Sequence, residues 1–372
     1  MNIVIPTADY PPIEGGIASV ALHVSRELAA LGHDVTVIAP YFPDTAAFDA
    51  NEPVRVLRFR GYNLGPLRFF PLAAASIGPV RNADLILAIN VSYGGVLGLL
   101  ARKRYVVFAY AYEFLKFQNN PIAAALLRRV YGGAASVVAI SKYTRDQLID
   151  FGVSPSRVSV IYAGAPPVRA FPESAVAQLR GRLALDGHRV ILAVGRFIRR
   201  KGHLTLVRAM ARVVERAPDA KLVLAGRGPL WEEVSTLVRE LHLERHVCLP
   251  GYLPDDEIAM LYHLCDVFAL PNGQDESGHV EGFGLVFAEA HSYGKPVVAG
   301  RSGGAAEAVL DGETGLLVEP DQPEALAEAI LFLLENPERA RQFGVAGRAR
   351  VEAELNWTHF TARVLETLER RP

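Results

Sequence analysis

The nine residues from Glu281 to Glu289, Glu-Gly-Phe-Gly-Leu-Val-Phe-Ala-Glu, carry the densest chemistry in this 372-residue chain. Two carboxylates bracket a Gly282-Phe283-Gly284 turn that opens an apolar helical pattern beginning at Leu285. Glycines in such a turn let backbone approach a ligand and leave N–H groups unpaired. A helix N-terminus adds about half a positive charge, which suits a phosphate. Glu281 in the turn and Glu289 on the helix are then placed to accept hydrogen bonds from sugar hydroxyls on either side of that phosphate. The pattern reads as a site for a sugar, a diphosphate and a ribose.

A second set lies upstream, where an apolar run ending at Val194 leads into Gly195-Arg196-Phe197-Ile198-Arg199-Arg200-Lys201-Gly202. Arg196 offers a bidentate fork and Lys201 a point charge, a division of labour suited to a diphosphate. Charge-assisted bonds of this kind contribute about 1.5–3 kcal/mol each. They matter more for catalysis when they hold charge that develops as a group departs. The bland alternative, a solvated basic loop, is weakened by the position at a strand end. Glu14-Gly15-Gly16-Ile17 joins the first strand pattern to the first helical one, and a glycine pair there admits close backbone approach. Taken alone, it is also what many tight turns contain. Gly226-Arg227-Gly228-Pro229, with Pro229 expected near a first helical turn, and Gly303-Gly304, ahead of an expected helix 305–309, read equally well as ligand loops or plain connections. His279 has no ligand-spaced partner and reads as an ordinary histidine.

These residues need rigid elements beneath them, and the chain supplies an alternation of apolar runs and helical patterns. In the first half the expected strands are 3–6, 35–39, 85–89, 105–109, 136–140 and 158–162, with a helix over 17–31 closed by Gly32. In the second they are 190–194, 221–225, 246–249, 267–270, 296–299 and 315–318. The stretch from Phe42 to Pro79, broken by Pro and Gly, carries no clear pattern. Ala163-Gly164-Ala165-Pro166-Pro167 reads as a linker. From Pro323 onward only helices are expected, with breaks near Asn336-Pro337 and Asn356. The fold class is α/β, with two doubly wound, Rossmann-like domains facing across a cleft: residues 1–165, joined by a C-terminal helix within 357–372, and residues 166–356. Ligands in such sheets bind beyond the carboxyl ends of the strands.

Composition narrows the classes. Hydrophobic residues make up 50% and mean hydropathy is +0.17, as buried parallel strands require, and no apolar stretch reaches the length of a membrane span. Met1 to Pro6 reads as a first strand rather than a leader. Cys248 and Cys265 read as buried structural thiols, so a cytoplasmic setting is expected. Net charge is −1, which argues against nucleic acid as a partner. Residues 1–165 hold 15 Lys+Arg against 11 Asp+Glu, and the remainder 24 against 29. Arg102-Lys103-Arg104 and Arg128-Arg129, with exposed-looking Phe69, Phe70, Phe114 and Phe117, would suit a peripheral contact with anionic lipid at the inner face of the cell membrane. Ordinary surface variation explains them as well.

Together the motifs resemble the retaining glycosyltransferases of family 4, which have the two-domain GT-B architecture. The likeness rests on Gly15-Gly16, Gly195-Arg196 with Lys201, Gly226 to Pro229, Glu281 to Glu289, and Gly312-Glu313-Thr314-Gly315-Leu316-Leu317-Val318, and so runs nearly the whole chain. It implies transfer of a hexose from a nucleotide sugar to a glycan or lipid-linked acceptor, with retention and with no metal or other cofactor. It implies that Arg196 and Lys201 hold the leaving diphosphate. Glu281 with Gly282, Phe283, Gly284 and Leu285 would place the donor sugar, with Gly16 facing from the first domain. Glu289 would take the ribose, and Tyr252 and Leu253 would flank the base. The C-terminal helix, about Trp357 to Arg370, would return to the first domain. One departure stands out. Where the family often has a His three residues before a Glu, this chain reads Tyr110-Ala111-Tyr112-Glu113, so a phenol, a donor and a poor base near pH 7, takes the catalytic His position. The stretch Val280 to Gly284 looks like the branch that uses GDP-mannose, with UDP-glucose and UDP-N-acetylglucosamine as alternatives.

Four other readings fit the residues less well. A nucleotide-sugar epimerase shares the architecture but fits the Arg/Lys and Glu/Glu set less well, and a phosphorylase needs far more chain. A binding protein without turnover is supported only by Tyr110. A dinucleotide-dependent oxidoreductase wants G-x-G-x-x-G after the first strand, which Glu14 to Ser19 does not supply.

Overall fold

The computed structural model describes residues 1–43, 45–276 and 278–369. It divides into two compact units, one of residues 1–163 with the segment that begins at Trp357, the other of residues 164–356.

The first unit is a seven-stranded parallel sheet. Its strands are β1 (Asn2–Pro6), β2 (Asp34–Pro40), β3 (Arg55–Phe59), β4 (Leu85–Ala88), β5 (Tyr105–Ala109), β6 (Ser136–Ala139) and β7 (Val158–Val160). They run in the order β3-β2-β1-β4-β5-β6-β7. Central strands covered on both faces must be apolar throughout, and Ile3, Val4, Ile5, Val106, Val107 and Phe108 are all fully buried. The register pairs Ile3 with Val35 on one side and with Leu85 on the other. The chain winds outward from β1 to β3, returns to lay β4 beside β1, and winds the other way. The switch point is therefore between β1 and β4.

The second unit repeats the plan with six parallel strands: β8 (Arg189–Val194), β9 (Ala220–Ala225), β10 (Val247–Gly251), β11 (Val267–Leu270), β12 (Val297–Gly300) and β13 (Gly315–Val318). The order is β10-β9-β8-β11-β12-β13, which puts its switch point between β8 and β11.

The expected strands are all present, shifted at most by a residue or two. The helix expected over 17–31 runs Gly16–Ala30, and Gly32, at φ +81°, donates its N–H to the Ala29 carbonyl as the chain turns off. The C-terminal breaks also fall where expected, giving helices Pro323–Glu335, Pro337–Ala353 and Trp357–Glu369, two of them opened by proline. The last of these joins the first unit, where Trp357 stacks on His23 with ring centroids 5.0 Å apart. Arg370, the expected end of that helix, lies outside the described residues.

Two readings need correction. Phe42 to Pro79 is not featureless: it holds a short helix (Thr45–Asp49), edge strand β3, a 3-10 segment (Tyr62–Arg68) and a helix (Phe69–Asn82). The pattern was hidden because β3 carries Arg55 and Arg58 in place of a continuous apolar run, and because the helix Phe69–Asn82 holds Pro71 in its first turn and Pro79 within it. Phe114 is fully buried, because the turn after β5 folds back and seats its ring edge-on to Tyr131 at 5.9 Å. Phe70 is 66% exposed, whereas Phe69 and Phe117 are half-buried. As expected, Pro229 lies near the first turn of its helix, which starts at Trp231, and the helix expected over 305–309 is present as Ala305–Ala308. Among the described residues no helix is long and apolar enough to cross a membrane.

Candidate active site

In the second unit, β8 and β11 are neighbours at the switch point, so the loops leaving their carboxyl ends meet. From β8 come Arg196 and a 3-10 turn, Arg199–Lys201; from β11 comes the loop that begins at Asn272 and reaches the helix Leu285–Ser292. Lys201 Nζ donates to Glu281 Oε2 at 2.6 Å, with side chains only 12% and 15% exposed. The Asn272 amide donates to the same oxygen at 2.9 Å. Burial alone would raise the Glu281 carboxyl. The Lys201 ammonium, with Arg200 and Asn272, more than offsets that and holds it below the usual range, so Glu281 is an anion. Arg196 is exposed and, among the described residues, has no side-chain partner. Arg199, by contrast, leans toward Glu233 and Glu276 at 3.5 and 3.6 Å, so the basic run is already divided in its duties.

Gly284 caps the helix at φ +89°, a left-handed conformation that a side chain would strain, and the first helical N–H groups point out of the turn. Phe283 is 1% exposed, so its ring belongs to the core beneath the turn. Glu289 accepts from the Tyr262 hydroxyl at 2.8 Å. Burial pushes its carboxyl up, and the Tyr262 hydrogen bond offsets this in part. Tyr252, 54% exposed, follows β10 two strands away, while Leu253 is buried.

The glycine loops left open by the sequence have a structural role here. A Cβ on Gly304 would land on the Gly282 carbonyl and one on Gly303 on the Glu281 carbonyl; the Gly304 N–H also donates to Glu281 O at 2.8 Å. A Cβ on Gly226 would meet the Gly195 carbonyl, and one on Gly228 the backbone of Phe197. Gly202 and Gly300 similarly admit the Pro271 and Asn272 carbonyls. These bare positions lock the Arg196 loop and the Glu281 turn into a single backbone frame. Asn272, which sequence reasoning passed over, is fully buried in that frame. Its only signal was its place just after a strand at the switch point.

The first unit has a polar cluster at its own switch point. Thr7 Oγ1 donates to Asn90 Oδ1 at 3.0 Å, and the Asn90 amide donates to Asp9 Oδ2 at 3.0 Å. Burial raises the Asp9 carboxyl, against the pull of Asn90, Arg68 and Lys116. At the end of β5, Tyr112 N–H donates to Tyr110 O at 2.9 Å across Ala111 (φ +67°, ψ −66°), a strained γ-turn. Burial pushes the Glu113 carboxyl up to about 8, although the backbone N–H groups of Tyr110 and Val91 donate to it. The Tyr110 hydroxyl is buried without a partner, and burial, then Glu113 and Asp9, push it well above the usual phenol range. Gly16 opens the first helix, exposed, after Gly15. Among the described residues no group of three or more His, Cys, Asp or Glu is arranged to hold a metal, and His279 lies against Asp275 at 3.4 Å.

Comparison with known proteins matches residues 177–350 to the family described as glycosyl transferases group 1, and residues 14–169 to glycosyltransferase family 4. The chain is 32% identical over 379 residues to the GDP-mannose-dependent alpha-(1-6)-phosphatidylinositol monomannoside mannosyltransferase of Mycolicibacterium smegmatis, covering 99% of this chain and 98% of that one. It is 31% identical to the alpha-maltose-1-phosphate synthase of the same organism, covering 98% of each. Among solved structures, Anabaena Alr3699/HepE in complex with UDP and glucose superposes with a TM-score of 0.82 at 23% identity, over the full length of both chains.

Proposed function

This chain belongs to the family 4 glycosyltransferases, hexosyltransferases of GT-B architecture, and on that premise we propose that it moves mannose from GDP-mannose to a hydroxyl of a glycan or lipid-linked acceptor, with retention and without a metal. The observation that carries the reading is the buried Lys201–Glu281 pair, set beside the exposed Arg196 and the Gly-Phe-Gly turn at the β8/β11 switch point. Arg196 and Lys201 grip the diphosphate, and their hold strengthens as the bond from sugar to phosphate breaks. The Glu281 carboxylate and the N–H groups after Gly282 hold the mannose hydroxyls. Glu289, already oriented by Tyr262, takes the ribose, and Tyr252 lies against the base. The acceptor oxygen bonds to the anomeric carbon on the face the diphosphate leaves, and the acceptor proton passes to the departing phosphate. No side-chain base is then required, which accommodates Tyr110 in the usual His position.

The preference for mannose follows the relative named for GDP-mannose. The same relative is named for a phosphatidylinositol-based acceptor, and the first unit exposes Leu64, Leu67, Phe70 and Ile77 along one segment beside basic groups. We therefore place the enzyme peripherally on the cytoplasmic face of an anionic membrane. The test is transfer from GDP-mannose to methyl α-D-mannopyranoside in excess EDTA, with the new linkage read by NMR. An α linkage formed at an undiminished rate supports the proposal; a β linkage or loss of rate with EDTA refutes it.

A further inference from the structure

We propose that Arg227 is the residue that selects the donor's base, by reading the two acceptors, O6 and N7, on one edge of guanine. The inference rests on the transferase reading above and assigns its preference for a guanosine donor to one side chain. In the second unit β9 lies between β8 and β10, and the register sets Val194 level with Ala225 and Ala225 level with Gly251. The carboxyl ends of the three strands therefore form one edge, and Arg196, Arg227 and Tyr252 each follow one of them. Neighbouring strands are about 4.8 Å apart. A nucleotide with its diphosphate at Arg196 and its base against Tyr252 has to pass the exit of β9, which is where Arg227 stands.

Arg227 is exposed and yet held in place. A Cβ on Gly251 would lie 3.0 Å from Arg227 Nε and 3.2 Å from Nη2, so the guanidinium rests over bare backbone beside Tyr252. Its carbon is 5.8 Å from the centre of the Trp231 ring, close enough for a cation–π contact, and Trp231 packs in turn on Phe197 at 5.2 Å. The Arg227 carbonyl accepts the Phe197 N–H at 3.0 Å, and the Gly226 N–H donates to the Gly251 carbonyl at 2.9 Å, which fixes the loop to both neighbours. Among the described residues no carboxylate or carbonyl accepts from the Arg227 side chain, whereas Arg199 leans toward two glutamates. A fork that is already placed and uncommitted loses little freedom when a ligand arrives.

The chemistry of the fork names the base. A guanidinium donates and never accepts. Guanine sets O6 and N7 side by side, two acceptors for two N–H groups. Adenine puts an amine donor beside N7, and uracil offers O4 alone on that edge. A phosphate would also answer a guanidinium, but a phosphate grip would serve guanosine and uridine nucleotides alike.

The experiment is calorimetry on the full chain, with GDP, inosine diphosphate, 7-deaza-GDP and UDP titrated into wild type and into Arg227→Met, the variant checked for an unchanged melting curve. Inosine diphosphate keeps O6 and N7 and should bind wild type within about threefold of GDP. The 7-deaza analogue lacks one acceptor and should bind at least roughly tenfold more weakly, the loss of one charge-assisted bond. Arg227→Met should weaken GDP at least roughly tenfold and bind GDP and 7-deaza-GDP alike. At physiological salt its affinity for UDP should stay within about threefold of wild type, because a charge at that distance from the diphosphate is largely screened. Equal losses of GDP and UDP in the variant, or GDP affinity unchanged by it, overturn the proposal. So does a wild type that binds 7-deaza-GDP as well as GDP, a result that needs no variant, or one that rejects inosine diphosphate. A wild type that prefers UDP, or that binds none of the four, defeats the guanosine-donor reading instead, and this inference with it.

Discussion

Removing the Lys201 ammonium while keeping its apolar stem, as in Lys201→Met, strands the Glu281 carboxylate in a site where it is 15% exposed and, among the described residues, only the Asn272 side chain still donates to it. Taking one partner from a buried pair usually costs about 3–5 kcal/mol. The folded protein can limit that loss by binding a proton. Holding a proton on a carboxyl whose unfolded pKa is about 4.3 costs about 3.7 kcal/mol at pH 7 but only about 1 kcal/mol at pH 5. The sign follows from linkage. In Lys201→Met the folded pKa lies above the unfolded one, so stability declines as pH rises above about 4.3, the reverse of wild type. Adding Glu281→Gln should return most of the loss at pH 7, because no charge remains to be buried. The assay is urea unfolding in a Trp357→Phe background, which leaves Trp231, packed on Phe197 in the same unit as the pair, as the sole tryptophan. The loss should persist in high salt, since a shielded pair is screened little. A Lys201→Met loss below about 1 kcal/mol at pH 7, or equal losses at pH 5 and 7, would refute the claim that the pair is buried and coupled.

Acid should unfold the protein through its buried histidines. Burial pushes His203 down to about 3 and His291 and His23 to about 4, so stability present above the unfolded pKa of about 6.5 is lost as pH falls toward those values. Each costs about 2 kcal/mol at pH 5, and His203→Phe, which keeps the stack on Phe197, should remove one such share from the pH 5 to pH 7 difference in denaturant unfolding. Gly304→Ala forces the Glu281 turn aside and should weaken calorimetric GDP binding at least roughly tenfold. Glu289→Gln should weaken GDP by about 1.5–3 kcal/mol; 2′-deoxy-GDP should bind wild type as weakly, and a further loss of similar size when the two changes are combined would count against the ribose assignment.

The sequence was legible where physics is local. Fully buried parallel strands must be apolar runs, and prolines at 323 and 337 open helices, so both sheets and the helical tail could be placed within a residue or two. It was poorly legible where tertiary packing decides. Edge strand β3 carries Arg55, which is exposed, and Arg58, whose side chain is buried against Asp49 and the Pro11 and Pro40 carbonyls, and Phe114 gives no sign that its turn folds inward. Gly226, Gly228, Gly303 and Gly304 looked equally like ligand loops and connections, because their neighbours, the Gly195–Phe197 and Glu281–Phe283 backbones, are distant in sequence. Lys201 and Glu281, 80 residues apart, were named on chemistry, yet nothing in the spacing showed that they share an oxygen with Asn272. Asp9 and Asn90 are single polar residues after apolar strands and acquire meaning only once β1 and β4 are known to be neighbours.

The most direct test of the central claim, a nucleotide-sugar site built on Arg196 and the Lys201–Glu281 pair, is calorimetric titration without added metal. GDP-mannose, UDP-glucose and UDP-N-acetylglucosamine would each be titrated into wild type and Arg196→Ala. The account predicts that GDP-mannose binds wild type with a Kd of order micromolar and weakens at least roughly tenfold in the variant, the loss of one charge-assisted contact. Preference for a uridine donor would keep the site and move the donor. Equal binding by the variant, or no binding by any of the three, would contradict the account.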